Sequence, residues 1–486
     1  MTIDEPRGLM LYDTFTRQKR PFIPLEEGKV RMYACGPTVY GDPHIGNFRA
    51  FLVGDVLRRW LEYREYDVFH VMNITDIEDK TIRDSAKEGV PLKEFTDRYT
   101  ESFLRGLDLL NIKRATTYPR ATEFISGMIE FIQALLDKDV AYVAGDGVYF
   151  DIDKFPDYGK LSGIDTSMVE STERMAKDEY DKETANDFAL WKFATQDELD
   201  RGIYYETPWG NGRPGWHIEC SVMTRSLLGD TLDIHTGGED LTFPHHENEI
   251  AQTESLTGKK FVRYWIHLRH LMINGRKMSK SLGNYVSFEE VLEKYSAEAF
   301  RYFYLSVHYR RPIDYTDASM EIAENSVAKL DNTLDIVDNA LRGDDSNLGF
   351  TEREGTLLYS AREHLARFEA AMDDDLDTHG ALDAIHGLSG AINEYVAVGA
   401  NKGVLLRASG TYRLMLNTLG LFEKRRAVGG ELLDELLSTV TDVREALRAQ
   451  KNYEISDMIR DELKKIGIEL ADSTEGTTWK IERRPE

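Results

Sequence analysis

Between Lys29 and Asp76 the chain spells a strand, a turn, a helix and a second strand, and that order admits few folds. Lys29–Cys35 is an apolar run of strand length that stops at the Gly36–Pro37 turn. Pro43–Asn47 then opens a helical pattern with Phe48, Phe51, Leu52, Val56 and Trp60 on one face. A second apolar strand, Val68–Met72, leads into Asn73–Asp76. Strands joined through a helix lie parallel, and ligands of such sheets bind beyond the strand carboxyl ends. Cys35 and Thr75 stand at two such ends. The expected fold class is α/β, built on a Rossmann-type parallel sheet.

The remaining text hangs on that core. A chain of 486 residues has room for roughly two to four domains. From about 125 to 208 it turns polar and less periodic, with many charges around Glu170–Thr184, and reads as an insertion between two halves of the fold. The sheet resumes near Thr231–His235 and runs to about Leu271. A segment over about 272–319 then closes a catalytic region of residues 1–319. From Met320 the pattern becomes long amphipathic helices. Val327, Leu330, Leu334, Val337 and Leu341 form a buried stripe, and a helical bundle is expected over 320–428. Gly429–Gly430 marks a boundary. The tail, 429–486, is helical and then strand-like (Ile466–Leu470, Thr477–Ile481), a small α+β domain.

Chemistry-bearing residues gather in two kinds of place. Trp216–Cys220 and His245–Glu249 lie close in sequence; if the second is helical, His245 and Glu249 share a face and can share a metal. The chain has two cysteines, Cys35 and Cys220, which complete a set of two thiolates, one imidazole and one carboxylate suited to Zn²⁺. Spacing alone fits a surface His/Glu helix beside two core cysteines equally well. His44–Asn47 stands at a turn entering a helix, where free N–H groups and the helix dipole favour phosphate. Lys277–Ser281 follows the Asn274–Gly275 turn, and its lysines, Lys277 and Lys280, can fold over a developing pyrophosphate. A solvated basic loop is the plainer alternative.

Taken in order along the chain, these motifs resemble those of the class I aminoacyl-tRNA synthetases. Within that class the chain is similar to the cysteinyl-tRNA synthetases over almost its whole length. Met32–Tyr40, His44–Asn47, Asn73–Ile77, Pro119–Glu123, Asp187–Lys192, Gly212–Ser221, Phe243–Gln252 and Lys277–Asn284 carry the match, with Lys451–Tyr453 and Gly476–Lys480 in the tail. The resemblance implies a cysteine–tRNA ligase that spends ATP to make cysteinyl-adenylate and then loads tRNA(Cys). It implies one zinc on Cys35, Cys220, His245 and Glu249, with His246 and Glu247 supporting. It also implies Thr75 and Trp216 in the amino-acid pocket and Asp240 near the nucleotide. His44, Asn47 and Lys280 would serve the phosphates, with Lys277 supporting and Mg²⁺ accompanying ATP. Asn47 stands where the fuller motif ends in histidine, Thr236 replaces a common glycine, and Leu268–Leu271 replaces a glycine-containing turn.

The resemblance further implies a helical bundle and an anticodon-reading tail, and a monomer is expected. Trp479 is a candidate platform for unstacked bases, beside Lys480, Arg483 and Arg484; a core tryptophan is an equal reading. A formal charge of −25 is the wrong sign for the surface that holds RNA, but a local basic face suffices. An acidic coat of this kind suits a salty cytoplasm. The charged, acidic N-terminus and the lack of a long apolar run point to a cytoplasmic chain with no membrane segment. Two rivals fit less of the text. A tRNA-independent ligase on the same catalytic fold would need no anticodon-reading tail, and a protein that only binds RNA would need neither His44 nor the four metal-type ligands.

Overall fold

The computed structural model describes residues 8–164, 187–278, 285–342, 349–423, 430–449, 453–465, 468–473 and 476–481. The chain divides into two compact units, residues 1–423 and 424–486.

At the centre of the first unit is a four-stranded, wholly parallel sheet. Its strands are β1 (Lys29–Ala34), β2 (Asp67–Met72), β3 (Leu232–Gly238) and β4 (Val262–Leu268), in the spatial order β4-β3-β1-β2. Register places Met32 beside Ile234, Tyr33 beside His235 and Ala34 beside Thr236. Helix α1 (Ile45–Tyr63) makes the crossover between β1 and β2. Phe48, Phe51, Leu52, Val56 and Trp60 are all buried, as the 3.6-residue spacing predicts.

The stretch expected as a polar insertion has a core of its own. Helix Ile125–Asp137 packs against an antiparallel sheet of Ala141–Val143, Gly147–Phe150, Phe188–Phe193 and Gly212–Pro214. Met128, Phe131, Leu135, Val148, Phe150 and Trp191 fill it. Short antiparallel strands leave little periodicity to read, and this sheet runs past residue 208 to Pro214. The charge-rich Glu170–Thr184 stretch lies outside the described residues.

A second small sheet joins Arg276–Lys277, Leu271–Ile273 and Ile313–Tyr315. Four long helices follow, Asp317–Arg342, Glu352–Asp373, Thr378–Ala397 and Lys402–Thr418. Val327, Leu330, Leu334 and Val337 are buried in the first of them, and Leu341 is half-buried. The second unit holds helices Gly430–Ala449 and Tyr453–Lys465 and a hairpin, Ile468–Ser473 with Gly476–Ile481. Trp479 pairs through its backbone with Leu470. Among the described residues no helix is long and apolar enough to cross a membrane.

Candidate active site and metal centre

Strand β1 ends by carrying Cys35 to the carboxyl edge of the sheet, where its N–H donates to Thr236 O at 3.3 Å. The turn that follows is braced by the residues after β2. Gly36 N donates to Asn73 Oδ1 at 2.8 Å, and Thr75 bonds Pro37 O at 3.1 Å and Val39 N at 3.2 Å. A Cβ on Gly36 would lie 1.7 Å from the Asn73 carbonyl oxygen, so only glycine allows this approach. The Thr75 hydroxyl donates to Glu219 Oε2 at 3.0 Å and accepts from Asn73 Nδ2 at 3.1 Å. Thr75 is buried behind this turn.

Cys220 comes from helix α2 (Trp216–Leu228), one turn beyond Trp216. His245 stands in the wide turn Thr242–His246, just before helix α3 (Glu247–Thr257), which carries Glu249. The expected i, i+4 pair therefore spans a turn and a helix, yet His245 Nε2 lies 3.2 Å from Glu249 Oε1. One donor atom from each of Cys35, Cys220, His245 and Glu249 falls within 4.8 Å of the others. The two thiols are in hydrogen-bond contact, and Cys35 Sγ is 3.8 Å from Glu249 Oε1.

Burial, then Cys220, pushes the Cys35 thiol well above its ordinary range. Burial likewise raises the Glu249 carboxyl to about 8, against the opposing pull of His245. Two thiols and a carboxyl crowded into a dry pocket are costly to ionise, and a divalent cation among them offsets that cost. Two sulfurs, a nitrogen and an oxygen at this spacing fit a tetrahedral metal of the zinc type.

A second donor set overlaps the first and was not legible in the sequence: Cys35, His235, His246 and Glu249. His246 Nε2 is 3.3 Å from Cys35 Sγ, and His235 Nε2 is 2.9 Å from Glu249 Oε2. His246 Nδ1 also meets His267 Nε2 at 2.7 Å, so this ring is engaged on both sides. Burial holds His235 and His246 well below the ordinary histidine range, hence neutral and able to donate a lone pair.

Cys35 also lines a cavity of about 420 Å³, together with His44, Gly46, Asn47, Trp216 and Asp240. Thr75 is not among its lining residues. Trp216 packs over His245 with ring centroids 4.2 Å apart, which ties the cavity wall to the donor cluster. His44 is the N-cap of α1: its Nδ1 accepts Asn47 N–H, and Asn47 Oδ1 accepts His44 N–H. A Cβ on Gly46 would lie 2.9 Å from Met278 Cε and 3.2 Å from the His44 ring, so a larger residue at the helix mouth would have to displace the Met278 side chain.

The backbone of Lys277 pairs with Met272 in the small sheet, and Met278 reaches the cavity. Lys280 lies outside the described residues. The stretch Leu268–Leu271, where a glycine turn was missing, forms another wall. Glu239 clips it, bonding Arg269 Nη1 at 2.6 Å and His270 N at 3.1 Å. Arg49, Lys80 and Tyr40 also line the cavity, with Lys80 Nζ 5.4 Å from the Tyr40 ring. Tyr40 closes the Met32–Tyr40 match, whereas Arg49 and Lys80 carried no signal in the sequence beyond closeness to a motif.

A family model of the class I (C) tRNA synthetase catalytic domain matches residues 21–325, and a DALR domain model matches 367–423. The cysteine–tRNA ligase of Methanosarcina mazei is 48% identical over 468 residues, covering 96% of this chain and 98% of that protein. The cysteine–tRNA ligase of Thermococcus onnurineus is 45% identical over 478 residues, covering 97% and 99%. Among solved structures, Mycobacterium tuberculosis methionyl-tRNA synthetase bound by methionyl-adenylate superposes with a TM-score of 0.61 at 17% identity, covering 80% of this chain and 92% of that one. An Agrobacterium radiobacter LeuRS in a ternary complex gives 0.58 at 14% identity, covering 82% and 84%. At such identities the likeness is one of fold.

Proposed function

This chain belongs to the cysteinyl-tRNA synthetase family of class I tRNA synthetases, and on that premise we propose that it activates L-cysteine with ATP and transfers it to the 3′ end of tRNA(Cys). One observation carries the reading: Cys35 belongs both to the metal-type donor cluster and to the wall of the cavity that His44 and Asn47 enter. A site for sulfur and a site for phosphate thus share one chamber.

Cys35, Cys220, His245 and Glu249 are the residues that would hold zinc. When bound, zinc supplies a Lewis acid that accepts a thiol sulfur as thiolate far more readily than a hydroxyl. The chain's own residues do the rest of the selection. Trp216 walls the side-chain pocket, and Thr75, through Glu219 and Asn73, holds the turn that carries Cys35. A pocket that requires one matched contact can reject an analogue lacking it by roughly 10⁴-fold.

Activation is an in-line attack by the cysteine carboxylate on the α-phosphate of ATP, forming cysteinyl-adenylate as pyrophosphate leaves. A carboxylate needs no general base, so catalysis rests on positioning and charge stabilisation. The N-terminus of α1, His44 Nε2–H and Asn47 serve the phosphates; Lys277 and Lys280 serve the departing pyrophosphate, and Mg²⁺ accompanies ATP. Asp240 faces the nucleotide. In the second step a ribose hydroxyl of the terminal adenosine attacks the acyl carbon and AMP leaves. The DALR domain and the second unit hold the tRNA, with Trp479 a platform for anticodon bases, and the enzyme works as a cytoplasmic monomer.

The test is ATP–pyrophosphate exchange with cysteine, serine and alanine, followed by charging of tRNA(Cys). Exchange dependent on cysteine alone, with charging, is the expected result. Exchange without charging points to a tRNA-independent ligase, and no exchange at all overturns the reading.

A further inference from the structure

Arg49 follows Asn47 by two residues on α1 and is 1% exposed, with part of its side chain in the cavity wall. Among the described residues no carboxylate bonds its guanidinium. Nη1 donates to the carbonyl of His270 at 2.7 Å, and Nη2 donates to the carbonyls of Tyr309, at 3.4 Å, and Arg311. A buried cation that spends its donors on main-chain oxygens from two other segments joins those segments.

Both segments lead into the small sheet. His270 immediately precedes strand Leu271–Ile273, and Tyr309–Arg311 runs into strand Ile313–Tyr315. They also bond each other, Arg269 N to Tyr309 O at 3.0 Å and Ile313 N to His270 O at 3.4 Å. The third strand of that sheet, Arg276–Lys277, is the start of the Lys277–Asn284 motif. The same helix that presents His44 and Asn47 is therefore forked, through Arg49, to the platform from which the lysine motif departs. Near this end of α1 the main-chain groups of Ile45 make further ties, to Val286 O and the Tyr304 hydroxyl, and His44 bridges to Ser287.

We propose that Arg49 is a positioning residue for the activation step: its guanidinium fixes the spacing between the His44–Asn47 end of the cavity and the sheet that begins the lysine motif. A planar fork suits this task, because it donates along two fixed directions at once, whereas a lysine ammonium sits at a single point. The bridge also holds His270, in the stretch that has no glycine turn, against α1, and so shapes the nucleotide wall. Burial lowers the Arg49 guanidinium to about 10, which leaves it charged at neutral pH.

The inference rests on the proposed function for its kinetic reading, so the test includes a measurement that does not. Arg49→Lys, which keeps the charge, and Arg49→Met, which keeps the stem, are compared with the full-length enzyme. Calorimetry with ATP alone, cysteine-dependent exchange and thermal unfolding are measured on each. The expected result for folded Arg49→Lys is ATP binding weakened about tenfold and exchange kcat reduced on the order of 100-fold, while the KM for cysteine moves less than about twofold. Should Arg49→Met fail to fold, Arg49→Lys alone decides.

Wild-type ATP affinity and kcat in Arg49→Lys overturn the proposal, since they mean that charge suffices. Equal losses in ATP affinity and in the KM for cysteine overturn it too, because they mark a general distortion. If the wild type shows no cysteine-dependent exchange, the functional reading fails, and the calorimetric comparison still judges the bridge.

Discussion

His44 Nδ1 accepts the backbone N–H of Asn47 at 3.3 Å while Asn47 Oδ1 accepts the backbone N–H of His44 at 3.0 Å, a reciprocal cap on the first turn of α1. An imidazole that accepts at Nδ1 carries its proton on Nε2. The helix cap therefore favours the tautomer with its proton on Nε2, and the same two side chains hold in place the helix end that presents them.

Capping and catalysis separate in variants. Asparagine is as good an N-cap as any residue, so His44→Asn is expected to change stability by no more than about 0.5 kcal/mol in urea unfolding. It has no donor where Nε2–H stood, and exchange kcat is expected to fall on the order of 100-fold. Asn47→Ala loses its half of the cap and should cost about 1 kcal/mol as well as activity. Wild-type kcat in His44→Asn would remove the imidazole from the phosphate site.

The overlapping donor sets make opposite demands on two neighbouring histidines. If Cys220 and His245 complete the site, His245→Ala and Cys220→Ser are expected to leave the protein with little bound zinc, measured per chain by emission spectroscopy. His246→Ala should then retain most of its zinc, because His246 lies outside that quartet and its Nε2 only approaches Cys35 Sγ, at 3.3 Å. Chelation of the wild type is expected to abolish cysteine activation, and zinc added back to restore it. Loss of zinc in His246→Ala with retention in His245→Ala would favour the set built on His235.

How much of this was legible in the sequence depends on the range of the contact. The β1–α1–β2 unit was readable because its periodicities are local, and Phe48, Phe51, Leu52, Val56 and Trp60 are buried as their spacing implies. Ligand chemistry nominated the donor quartet, but choosing it over two core cysteines and a surface helix needed the family resemblance, since Cys35 and Cys220 come from separate elements brought together by strand order. His235 was not nominated because its role depends on β3 lying beside β1, with Tyr33 opposite it. Arg49 was invisible for the same reason: its partners are carbonyl groups more than two hundred residues away, and carbonyls carry no side-chain signature. The insertion's sheet was missed because its strands are short and partly separated by the charge-rich stretch.

Acid stability should report on His70. The ring is buried in β2, neither nitrogen has a hydrogen-bond partner among the described residues, and burial lowers its pKa from 6.5 to about 3. Below pH 6.5 the unfolded chain takes up a proton that the folded chain refuses, so the stability this site permits is lost as pH falls from 6.5 towards 3. By pH 5 the loss is about 2 kcal/mol. His70→Phe removes that titration, and its stability relative to the wild type is expected to rise as pH falls from 7 to 5 in urea unfolding. A constant difference across that range would show that His70 already binds its proton in the folded state.

One buried joint in the first unit is ionic. Asp55 of α1, 1% exposed, accepts from Arg59 Nε at 2.8 Å, from Arg301 Nη2 and from the backbone N–H of Lys113 at 2.8 Å. Arg301 also donates to the carbonyls of Leu419 and Leu110, and Arg59 Nη1 to Glu423 Oε1 at 2.7 Å, so the cluster ties the sheet's crossover helix to the end of the helical bundle. Burial alone would raise the Asp55 carboxyl, but Arg301 and Arg59 hold it below the ordinary carboxylate range. Asp55→Asn is nearly isosteric yet leaves two buried guanidinium groups facing a neutral amide, which is expected to cost about 3–5 kcal/mol. The double change Asp55→Asn with Arg301→Met removes one of the stranded charges, so it should be destabilised by less than the sum of the single changes. Additive losses in urea unfolding would mean that Asp55 and Arg301 contribute independently, and that the joint is held by their main-chain bonds instead of by the pairing of their charges.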